Sequence, residues 1–71
     1  MITTPNATVA ATVRAEMARK NVTTRDLAGK LGVSAAWVSR RTTGSVPITP
    51  DEAHRIAAAL DVDPSVLLST T

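Results

Sequence analysis

Residues 31 to 44, LGVSAAWVSRRTTG, concentrate the chain's chemistry. They hold its one tryptophan, Trp37, and its only adjacent arginine pair, Arg40 and Arg41. A guanidinium is a planar fork of donors that can bond two acceptors at once. An indole joins a large apolar body to a single N–H, which suits either a half-buried packing position or a contact surface. Parts for catalysis are missing. No nucleophile, base and orienting acid are spaced together, and no glycine-rich phosphate loop is present. There is no cysteine, and the single histidine, His54, makes no metal site alone. Asp51 and Glu52 are adjacent acids, but Thr49 and Pro50 precede them, so they read as charges at a helix start. The expectation is a protein that is not an enzyme, uses no cofactor or metal, and works by contact.

The chain has 71 residues, enough for one small domain spanning 1–71. A domain of this size buries only about 60% of its unfolded surface, so tight packing of small apolar residues must stabilise it. Alanine and aliphatic residues are plentiful, as in a helical bundle. Net charge is +2, and its distribution says more. Residues 1–45 hold seven basic groups (Arg14, Arg19, Lys20, Arg25, Lys30, Arg40, Arg41) against two acids. Residues 46–71 hold Arg55 against Asp51, Glu52, Asp61 and Asp63. Such asymmetry suggests a basic working face and an acidic far side, or helices simply solvated by their basic groups. The start, MITTPNATVA, lacks the charge and apolar run of a signal peptide, and no stretch approaches the ~20 apolar residues of a membrane span. A cytoplasmic, nucleoid-associated protein is expected, with no membrane partner.

Cap signals divide the chain into about five helices. In the first, ATVAATVRAEMARKN, Val9, Val13 and Met17 fall on one face while Arg14, Glu16 and Lys20 lie away from it. It starts at Thr4-Pro5 or at Asn6, and it ends near Lys20-Asn21. Thr23 caps the second helix, with Asp26 three residues on and Leu27, Ala28 and Leu31 turned inward. Gly32 stops it, as a left-handed C-terminal glycine does. Ser34 caps a third helix over 35–43, whose clear core residue is Val38. Val46 and Ile48 tuck in from an extended loop. Thr49, Pro50 and Glu52 start a fourth helix with Ala53, Ile56, Ala57 and Leu60 inward. Asp63-Pro64 opens a short last helix carrying Val66, Leu67 and Leu68.

The second and third helices carry the pattern that matters, over about 23–44. Ala28 is small, so two helices can cross closely. Gly32 takes the tight turn, and Val33 and Val38 anchor one helix on the other. That is a helix-turn-helix, whose second helix can lie in a DNA major groove. From residue 9 to residue 68 the sequence resembles the Cro and lambda-type repressor (XRE) helix-turn-helix family. The ordered set carries the resemblance: first helix, TTRDLAGKLGVSAAWVSRR, Gly44, and IAAALDVDPSVLL.

The resemblance implies an all-α, lambda repressor-like bundle and a sequence-specific transcriptional regulator of double-stranded DNA. It is closest in style to phage or bacterial repressors of the immunity or Cro-like kind. Base contacts carried over from the family fall on Ala35, Ala36, Ser39 and Arg40. Arginine to guanine is the most discriminating of these, at ~1–3 kcal/mol. Backbone contacts fall on Thr24, Arg25, Lys30, Arg41, Thr43 and Ser45, with Trp37 either beside the DNA backbone or packed on the second helix. The chain departs from the family just before Gly44. An aromatic residue and a glutamate are common there, and Arg41 and Thr42 stand in their place, so that glutamate's pairing is absent.

A single recognition helix makes few contacts, so a homodimer through Leu67 or Leu68 on a palindromic operator is expected, with half-sites about 34 Å apart. The alternative is a protein-interaction module of the same fold, antitoxin-like or an adaptor. Tryptophan and arginine are both enriched at protein interfaces.

Overall fold

The computed structural model describes residues 5–68, and five helices account for most of them. These are α1 (Pro5–Arg19), α2 (Thr24–Leu31), α3 (Ala35–Thr42), α4 (Pro50–Leu60) and α5 (Pro64–Leu68). Among the described residues there is no strand. Of the start signals expected for the first helix, Thr4 lies outside the described residues.

Side-chain caps start the helices where the sequence places them. The Thr23 hydroxyl accepts from the Asp26 amide at 3.0 Å, and the Asp26 carboxylate accepts from the Thr23 amide at 3.1 Å. Thr49 and Glu52 form the same reciprocal box at α4, with Pro50 in the first turn. Ser34 Oγ accepts from the Trp37 amide at 3.0 Å at α3. Each cap contributes about 1 kcal/mol by satisfying amides that have no helical partner.

The ends of α1, α2 and α4 follow one rule that fixes their turns. Asn21, Gly32 and Asp61 each adopt positive φ after α1, α2 and α4. The next residue is always a valine whose amide donates back into the helix: Val22 to Met17, Val33 to Ala28, Val62 to Ala57, at 2.9 to 3.0 Å. This is the Schellman closure. All three valines pack against the core, so each turn is anchored by an apolar side chain.

That core draws on every helix: Val13 and Met17, Leu27 and Ala28, Val38, then Ile56, Ala57 and Leu60, and Leu67. α1 lies against α3, α4 and α5, while α2 is held between α3 and α4.

Three details differ from expectation. Glu16 is buried, at 6% exposure, because it sits one turn beyond Val13 on the same side of α1. Its carboxylate pairs with Arg19 at 3.1 Å. α3 ends at Thr42, one residue early, and Gly44 then turns with φ +85°. Leu67 is fully buried and belongs to the core, whereas Val66 and Leu68 are exposed. Among the described residues no helix is long and apolar enough to cross a membrane.

Candidate nucleic-acid interface

Ala28 brings α2 and α3 together. It is buried at their crossing beside Leu27 and Val38. Gly32, at φ +70°, reverses the chain within three residues, and Ser34 opens α3 at once. Few residues separate the two helices, so α3 is held at a fixed angle to α2.

At about 100° per residue, α3 divides into three arcs. Val38 and Thr42 face inward and are buried. Trp37 and Arg41 form a flank. Ala35, Ala36, Ser39, Arg40 and Thr43 fill the remaining arc, and all five are exposed. No acid lies on that arc. Ser45 extends it beyond the helix end, its hydroxyl 3.1 Å from that of Thr43. Thr24 and Arg25 stand at the first turn of α2, with Arg25 exposed. Asp26 follows them, its carboxyl held below the usual aspartate range by the Thr23 amide it accepts from.

The eight cations divide unequally. Four of them donate to backbone carbonyls at or near helix C-termini: Arg14 to Thr42, Lys20 to Asp61 (3.3 Å), Lys30 to Ala59 (3.4 Å) and Arg55 to Leu31 (3.2 Å). Cations suit these negative helix ends. Arg19 pairs with Glu16, and Arg41 with Glu52. Among the described residues only Arg25 and Arg40 have side chains with no protein partner. The basic half of the chain is therefore mostly spent on holding the bundle together, and what remains lies at the helix-turn-helix.

Arg41 is engaged on several sides. Its Nε and Nη2 donate to the two Glu52 carboxylate oxygens at 3.1 and 3.3 Å, and its Nη1 donates to the Trp37 carbonyl at 3.4 Å. Its guanidinium carbon lies 3.8 Å from the Trp37 ring centroid. The pair is largely covered, with side-chain exposures of 14% for Arg41 and 19% for Glu52. The Arg41 bonds hold the Glu52 carboxyl below the usual glutamate range, with the Thr49 amide adding to the effect. Stacking and bidentate pairing at this exposure contribute about 1 kcal/mol each.

The residues expected to contact bases, Ala35, Ala36, Ser39 and Arg40, share one exposed face. Of those expected on the backbone, Thr43 lies on that face and Ser45 extends it, while Arg25 is exposed and Thr24 half-buried in the first turn of α2. Trp37 is half-buried, packs on the core and is covered by Arg41. Lys30 and Arg41 are not brought to this face. Lys30 points to the end of α4, about 140° round α2 from Arg25. For these two, a phosphate contact does not follow from the geometry.

Sequence reasoning missed two supporting residues. Glu52 read only as a helix-start charge, yet a capping carboxylate has lone pairs to spare for Arg41. Arg14 carries no local signal: its partner is a backbone carbonyl twenty-eight residues away.

A family model for a helix-turn-helix domain matches residues 8–68. No curated protein matches the chain.

Proposed function

The chain belongs to the helix-turn-helix domain family, and we propose that it is a sequence-specific, double-stranded DNA-binding transcriptional regulator, acting in the cytoplasm as a repressor of bacterial or phage type. The observation that carries this reading is the exposed arc of α3. It holds small and hydroxyl side chains, has no acid, and carries Arg40, one of the two unpartnered cations among the described residues, the other being Arg25 in the first turn of α2. Laid in the major groove, it presents Arg40 to guanine, Ala35 and Ala36 to thymine methyls, and Ser39 to either kind of base edge. Arg25, Thr43, Ser45 and the first turn of α2 at Thr24 then meet phosphates and fix the register. Two copies on a palindromic site would double this small set of contacts, with Val66 and Leu68 the exposed apolar residues available between them.

The protein-interaction alternative is less favoured because the Trp37 ring is already covered by Arg41. The test is selection of random duplexes by the purified protein, repeated with Arg40→Ala. One enriched site, with preference lost at one base pair per half-site in the variant, supports the reading. Failure to enrich any sequence contradicts it.

A further inference from the structure

Arg41 is the one cation of α3 whose side chain is bonded within the protein, and its partner comes from another helix. It lies about 100° round the helix from Arg40, with Trp37 between them. A side chain of its length, if released, reaches past the Trp37 ring toward the same groove edge. What holds it back is Glu52, by two hydrogen bonds at 3.1 and 3.3 Å. Glu52 is itself fixed by the α4 capping box, because its Oε1 also accepts from the Thr49 amide.

We infer that Glu52 withholds Arg41 from DNA phosphate and so limits the sequence-blind, salt-dependent part of the binding affinity. This rests on the DNA-binding reading above. Phosphate contacts raise affinity for every sequence alike. With Arg41 clamped, discrimination depends on Arg40 and its neighbours. With Arg41 released, random duplex and operator gain the same contact, so affinity and its salt dependence rise for both while the ratio between them stays.

Glu52→Gln removes the charge and keeps an acceptor for the cap, since glutamine serves at this position too. Wild type, Glu52→Gln and the double variant Arg41→Gln/Glu52→Gln are titrated with random-sequence duplex and with the selected site across a salt series. The double variant has the wild-type net charge. Glu52→Gln should steepen the salt dependence by about 0.9 per protomer, so that a fourfold rise in salt costs it about 3.5-fold more affinity than wild type loses. The double variant should return to the wild-type slope. An unchanged slope in Glu52→Gln overturns the inference, as does a gain that persists in the double variant. Wild type that binds neither duplex overturns the DNA reading itself, and the role of Glu52 with it. A second measurement needs no variant: the Arg41 Nε–H NMR signal of the wild-type protein should stay unshifted and protected from exchange when DNA is added. Its shift or loss of protection overturns the inference.

Discussion

The guanidinium of Arg41 lies 3.8 Å above the centre of the Trp37 ring and one turn further along the same helix. The stack places the chain's only aromatic ring between the core and a charge clamped by Glu52. Trp37→Ala removes both the ring's packing and its hold on Arg41. It is expected to cost about 2 kcal/mol, below the 3–5 kcal/mol of a fully buried tryptophan because the ring is only half-buried. Urea unfolding of the two proteins checks this.

Three carboxylates are held below their ordinary range: Glu52 mainly by Arg41, Asp26 by the Thr23 amide and Asp63 by the Ser65 amide. A lowered pKa in the fold means the unfolded chain binds more protons as pH falls. Their contribution is complete above the unfolded carboxylate range, about pH 4 to 5, and is lost as pH drops through the lower folded values. Thermal midpoints should be flat from pH 7 to pH 5 and fall below pH 4. Glu52→Gln should make that fall shallower.

One substitution made at two glycines, one within α2 and one at its end, should act with opposite signs. Gly29 is helical and Gly32 has φ +70°, and a Cβ at either meets open space. Gly29→Ala should stabilise by about 1 kcal/mol through helix propensity. Gly32→Ala should destabilise by about 1 kcal/mol through left-handed backbone strain alone. Paired denaturation curves decide it, and equal signs would contradict the turn geometry.

Much of the fold was legible in the sequence because its signals are local. Thr23-Asp26 and Thr49-Glu52 are boxes closed within four residues, and Gly32-Val33 carries both the turn and its anchor. Asn21-Val22 and Asp61-Val62 use the same turn without glycine, which conceals it. The exposed arc of α3 was legible too, since helical spacing around Val38 determines it. The partners of the cations were not. Lys30 to Ala59 and Arg14 to Thr42 join residues twenty-eight or more positions apart, and both acceptors are backbone carbonyls that no side-chain pattern announces. Leu67 and Leu68 could be told apart only once α5 was docked.

The two unpartnered arginines should differ in kind. Arg40→Ala is expected to cost about 1–3 kcal/mol on the preferred sequence and to relax discrimination at one base pair. Arg25→Ala should weaken all sequences evenly and lower the salt slope by about 1. Competition titrations against single-base variants of the selected site separate the two.

The most direct measurement is a backbone amide NMR map of the labelled protein as duplex is added. The expected result is shifts concentrated at residues 23–25, 34–40 and 43–46, with the outer face of α4 unmoved by DNA and any shift on α5 confined to the neighbourhood of Val66 and Leu68, where two copies would meet. Shifts centred on α4, or none at a concentration where the duplex is in excess, would contradict the assignment of the α3 face as the DNA-binding surface.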